Sequence, residues 1–141
     1  MQLKADERGF TLIEVLVVVV IIAVLAALVG PRLFAKVGMA KQKAAAAQIE
    51  LFRTALDSFR LDTGRYPSSQ EGLEALWTKP TGIDIWAGPY LNKPVPKDPW
   101  GHEYLYTSPG EHGEFDIICY GADGTAGGDK DDTDIVSWKN L

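Results

Sequence analysis

Cysteine is all but missing from this chain: Cys119 stands alone among 141 residues. An internal disulfide framework is excluded, so a small exported fold built on this sequence would need some other staple. No basic run stands out as a phosphate footprint either. With a net charge of −5, nucleic acid is not an expected partner. Catalytic signatures are lacking too. His102-Glu103 and His112-Gly113-Glu114 fit no zinc-protease spacing, and there is no Gly-x-Ser-x-Gly elbow or Gly-rich phosphate loop. Both histidines read as surface or loop residues. Cys119 alternates with Phe115 and Ile117, the pattern of a buried structural thiol rather than a reactive one. The chain does not read as an enzyme.

Charge is missing where its absence says most. The run Val15–Val29 carries none. A helix from Phe10 to Val29 would be about 30 Å long, the hydrocarbon thickness of a bilayer. A secretory signal has a shorter apolar core followed by a small-x-small cleavage site. Here the apolar run passes through Gly30-Pro31 and continues into a helical pattern. Lys4 and Arg8 precede the run, which predicts a cytoplasmic N-terminal side and a translocated remainder. An uncleaved signal anchor accounts for everything except Glu14. A carboxylate inside a span costs about 3 kcal/mol on insertion scales and marks a functional candidate. Glu14 lies one helical turn beyond Phe10, so a cut between Gly9 and Phe10 would create an α-amine able to neutralise it, on its own chain or a neighbour's. The alternative is a carboxylate that snorkels at headgroup level.

What is present beyond Pro31 is amphipathic. Ala45, Ile49, Phe52, Leu56 and Phe59 recur at steps of three and four, with Lys41, Lys43, Glu50, Arg53 and Asp57 between them. One helix is predicted from Phe10 to about Leu61, closed by Gly64 in a left-handed cap, with a kink or local melting at Gly30-Pro31. Ser68-Ser69-Gln70-Glu71 has the form of a capping box, predicting a second, short helix that ends at Lys79-Pro80. The Pro- and Gly-rich stretch 81–101 reads as an ordered loop in which Tyr90-Leu91 is a candidate strand, with Trp100 plugging the core at a turn. Better strands are expected at Glu103–Thr107 and Phe115–Tyr120, with a last one at Ile135–Trp138. The fold class is α+β: a long N-terminal helix, its first half transmembrane, packed on a small antiparallel sheet.

Between Asp123 and Asp134 five carboxylates oppose one lysine. Oxygen donors without His or Cys suit Ca²⁺, and the neighbouring glycines let backbone carbonyls converge. The loop is no EF-hand, since Asp134 stands where the glycine would be if Asp129 opened it. A solvated acidic turn is the competing reading. In favour of the ion, like charges in an ordered loop repel unless neutralised, and the fold lacks disulfides.

Arg8-Gly9-Phe10-Thr11-Leu12-Ile13-Glu14 followed by an apolar run resembles the class III signal of type IV pilins and pseudopilins. Downstream, Tyr66-Pro67, Gln70-Glu71-Gly72-Leu73, Asp98-Pro99-Trp100-Gly101, Ser108-Pro109-Gly110 and Gly121-x-Asp123-Gly124 are similar to the type II secretion major pseudopilins of that superfamily. The resemblance implies a leader over residues 1–9, removed by a prepilin peptidase that cuts after Gly9 and methylates Phe10. It further implies a transmembrane and assembly helix over 10–30, an amphipathic continuation over 31–64, and a periplasmic α+β part over 65–141. The implied role is the major subunit of a periplasmic pseudopilus on the bacterial inner membrane, helping to export folded proteins across the outer membrane. Implied partners are further copies of itself, minor pseudopilins, the prepilin peptidase, an assembly ATPase and an inner-membrane assembly platform. Glu14 and Pro31 become the assembly residues. The resemblance also implies one Ca²⁺ on Asp123, Asp132 and Asp134, with Tyr120, Thr125, Asp129 and Asp131 as further candidates. Two other readings stay open. One is a minor pseudopilin, or a type IV pilin used for adhesion or DNA uptake. The other is a membrane-tethered periplasmic enzyme or binding protein.

Overall fold

The apolar and amphipathic stretches on either side of Pro31 form one helix, α1, Leu12–Thr63, in the computed structural model, which describes residues 9–139. Lys4 and Arg8, in the leader expected over residues 1–9, lie outside the described residues. The expected melting at Gly30-Pro31 is not observed: α1 stays helical through Pro31. A proline removes one N–H donor and crowds one preceding turn, a local cost that does not end the helix here. The chain divides into two compact units between Val37 and Gly38.

In the first unit every apolar side chain of α1 faces outward. Val15, Leu16, Val17, Val18, Ile21, Ile22, Leu25 and Leu28 are all at least half exposed. None of this segment is buried, and it is long and apolar enough to cross a membrane.

In the second unit the helix turns its three-and-four stripe inward. Ala45, Ile49, Phe52, Leu56 and Phe59 are buried against Leu73, Leu76, Tyr104, Ile117, Cys119 and Ile135. Burying one side chain of this size contributes about 1.5–3 kcal/mol, so the stripe holds this unit together. Phe52 meets Tyr104 edge-on at 5.1 Å, and Phe59 meets Tyr90 at 5.7 Å. Gly64, at φ +80°, ends the helix by donating its N–H to the Arg60 carbonyl at 2.8 Å.

The capping box forms, but the second helix does not. Ser68 N–H donates to Glu71 Oε2 at 2.7 Å and Glu71 N–H to Ser68 Oγ at 3.2 Å. Gly72 then takes φ +61°, which no helix tolerates, and only one 3₁₀ turn follows, Leu73–Leu76. Tyr90-Leu91 is not a strand. The Tyr90 N–H donates to the Leu76 carbonyl and its hydroxyl to Asp62 Oδ2, both at 2.8 Å.

The sheet is β1 (Leu105–Thr107), β2 (Asp116–Cys119) and β3 (Ile135–Val136), antiparallel in that order. Its register pairs Tyr106 with Ile117 and Cys119 with Ile135. All three strands fall where expected, each shorter at one or both ends, and a second 3₁₀ turn, Lys130–Asp132, leads into β3.

Candidate functional site

Two places concentrate the residues of interest. The first is the start of α1. Thr11 precedes the first helical residue, and its N–H and hydroxyl donate to Glu14 Oε2 at 2.8 and 3.0 Å. The Glu14 N–H returns to Thr11 Oγ1 at 3.3 Å. This is a capping box, Thr-x-x-Glu, so Glu14 closes the N-terminus of its own helix. Its other oxygen, Oε1, makes no hydrogen bond among the described residues and remains able to accept from an amine. Phe10 is 87% exposed, so the bond between Gly9 and Phe10 stands clear of the fold.

The second place is the acidic loop between β2 and β3. Asp123 forms a local turn with Thr125, accepting its N–H at 3.0 Å and its hydroxyl at 2.8 Å. These bonds, the amide's first, hold the Asp123 carboxyl below the usual carboxylate range. Asp134 Oδ2 accepts the Gly127 N–H at 2.8 Å, while its Oδ1 is buried with no partner. The Ala122 N–H donates to the Asp131 carbonyl at 2.9 Å, tying the two ends of the loop. Gly121 and Gly128, at φ +68° and +100°, pass so close to Asp132 that a Cβ on either would meet its backbone within 3.0 Å. The Asp131 side chain packs against Gly38 of α1, and Asp129 precedes the second 3₁₀ turn with its carboxylate exposed. Tyr120, partly buried, follows β2. No three acidic, His or Cys side chains converge as a ready-made metal cluster among the described residues. Asp123, Asp132 and Asp134 thus share one loop, with an orphaned oxygen on the third.

The type II secretion system protein G family model matches residues 32–138, and the prokaryotic N-terminal methylation motif matches residues 4–30. The type II secretion system core protein G of Pseudomonas aeruginosa is 46% identical, covering 97% of this chain and 99% of that one. The chain belongs to the type II secretion system protein G family. The core protein G of Vibrio cholerae is 44% identical over 98% of this chain and 96% of its own. Among solved structures, the major pseudopilin of the type 2 secretion system of enterohaemorrhagic Escherichia coli superposes with a TM-score of 0.64 at 31% identity. It covers 73% of this chain and 87% of its own. The α+β pilin-like architecture is therefore that of a protein G major pseudopilin.

Sequence reading missed two features of this protein G chain. The Thr11–Glu14 cap was visible as Thr-x-x-Glu ahead of an apolar run. The other is Asp98, buried at 5% exposure. Its Oδ1 accepts the N–H groups of Trp100 and His102, both at 2.9 Å, and its Oδ2 accepts the Cys119 thiol at 3.2 Å. Burial pushes that thiol up to about 12, so Cys119 is structural. Asp-x-Trp-x-His was the available signal, since an aspartate commonly receives the amide two residues on.

Proposed function

We propose that the chain is the major structural subunit of a pseudopilus and has no catalytic role. It is held in the inner membrane by the first part of α1 until it polymerises in the periplasm. The observation that carries this reading is the exposed apolar helix with Glu14 in its first turn. An apolar surface of that length must be covered by lipid or by other copies of itself. A carboxylate placed there suits a register-setting contact with an amine at low dielectric. The relatives' names, core protein G and major pseudopilin, favour the major subunit over a minor pseudopilin or an adhesive pilin. Cleavage after Gly9 supplies that amine on Phe10, and its methylation leaves it basic. Minor pseudopilins, the prepilin peptidase and the inner-membrane platform are the proposed partners. The periplasmic placement of residues 38–141 rests on kinship, because charge alone does not give it.

The donor chemistry of the acidic loop fits Ca²⁺. Carboxylate and carbonyl oxygens are its main donors, with the His102 ring standing beside Gly124; hydrogen bonds hold the Asp123 carboxyl below its usual range, and Asp134 Oδ1 lacks a partner. Asp123, Asp132 and Asp134, with backbone carbonyls of the glycine-rich turn, would hold the ion. Its chemistry there is neutralisation of like charge and closure of the loop onto β3.

Paired variants at Glu14 test the assembly reading. Glutamine can still accept the Thr11 N–H and keep the cap, whereas alanine loses both cap and charge. Both Glu14→Gln and Glu14→Ala should insert into membranes at least as well as the parent, because each removes a charge from a span. Both should abolish filaments and secretion. Normal filaments from Glu14→Gln would reduce Glu14 to a helix cap.

A further inference from the structure

Immediately after the apolar run, α1 reads Arg32-Leu33-Phe34-Ala35-Lys36-Val37. Leu33, Phe34 and Val37 are 58, 76 and 48% exposed, and Arg32 and Lys36 are exposed as well. Neither cation has a carboxylate partner among the described residues, and no acid occurs between Glu14 and Glu50. Lys41 differs, since its Nζ lies 6.0 Å from the Trp100 ring centroid. Two unpartnered cations thus share a short stretch with exposed apolar side chains, one of them a phenylalanine.

That composition is the one found where a helix leaves hydrocarbon for the headgroup layer. Direction adds to it. Helical side chains lean toward the helix N-terminus, so long side chains at 32 and 36 reach back toward the apolar run. A second copy presents one carboxylate beside an apolar surface, Glu14, which the assembly reading already pairs with a terminal amine, whereas a bilayer offers hydrocarbon and anionic phosphate at adjoining depths. Continuity with the membrane-crossing segment favours the lipid.

We infer that Arg32 and Lys36 form a headgroup clamp that selects anionic phospholipid, with Leu33, Phe34 and Val37 seated at the hydrocarbon boundary. The clamp rests on the reading that the preceding helix spans a bilayer, and on nothing about which face it exits. Each cation near an anionic surface favours binding about fivefold. The clamp would hold the subunit at one depth and set the lipid that must be released when it is drawn into a filament.

The test uses the full chain reconstituted in vesicles of equimolar phosphatidylcholine and phosphatidylglycerol, floated, then released for native mass spectrometry. The parent should float and retain phosphatidylglycerol in preference to phosphatidylcholine. The double variant Arg32→Gln/Lys36→Gln should float equally but lose at least about fivefold of that preference. Lys43→Gln, seven residues beyond Lys36, should keep it. Equal retention of both lipids by the parent overturns the clamp, as does an equal loss in Lys43→Gln. Loss of dimers in the double variant with an unchanged lipid ratio would assign the cations to a second copy, also overturning it. A parent chain that does not float contradicts the spanning reading, and the clamp falls with it.

Discussion

Glu71 shows how much one carboxylate can organise. It closes the capping box with Ser68 and receives both guanidinium nitrogens of Arg65 at 2.7 Å. The Arg65 bonds, aided by the Ser68 groups and opposed by burial, bring its carboxyl down to about 2. A depressed carboxylate contributes stability above its unfolded value of about 4.3, lost as pH falls through the folded value. Glu71→Gln should therefore destabilise residues 38–141 by about 1–2 kcal/mol at pH 7, allowing for the half-exposed Arg65. That gap should narrow between about pH 4.3 and pH 2, as urea melts along the series would reveal. A gap independent of pH would remove the ion pair from the account. Asp134 supplies a second test at this scale. If its buried Oδ1 awaits Ca²⁺, saturating the ion at a hundred times Kd should stabilise the same residues by about 2.7 kcal/mol. EGTA should reverse the gain, and Asp134→Ala should erase the response. Equal melting temperatures in calcium and EGTA would leave a solvated acidic turn. The acidic residues were legible in the sequence as a group. Their division of labour was not, because whether Asp131 faces Gly38 or an ion depends on a contact 93 positions away in the chain.

Among the elements, the second half of α1 was legible because burial sets its three-and-four stripe, the first half because it is an uncharged apolar run, and the strands because of their β-branched and aromatic residues. The second helix was misread because the capping box at Ser68–Glu71 is a local signal, and it is indeed made. Gly72 at φ +61° then overrides it one residue later. The turn Lys130–Asp132 gave no periodic signal at all. It sits against α1 at Gly38, which is buried, and Gln42 Nε2 donates to the Lys130 carbonyl. A Cβ at position 38 would overlap the Asp131 carboxylate. The exposed end of Asp131 can swing aside for an alanine, so a larger side chain is the test: Gly38→Leu should force the turn outward at a cost of about 1–3 kcal/mol. The Ala122 amide, which donates to Asp131 at 2.9 Å, should then exchange with deuterium faster than in the parent. Unchanged exchange at Ala122 would mean the turn does not depend on that notch.

At the scale of the whole molecule, the anchor was plain from Val15–Val29, and family kinship followed from motifs along most of the chain. Orientation was less plain than Lys4 and Arg8 suggested. Arg32, Lys36, Lys41 and Lys43 follow the span within a short distance and outnumber them, so a count of flanking cations favours the opposite face. The periplasmic reading therefore draws on kinship, and the cations after the span need a counter-charge such as the anionic lipid proposed above. The central claim is that this chain is processed at Gly9–Phe10 and then polymerises through α1. Intact mass analysis of subunits from sheared filaments measures both steps in one sample. The predicted result is a filament subunit that begins at Phe10 and carries one added methyl group on its amine. Filaments lacking this chain, or a subunit that still begins at Met1, would contradict it.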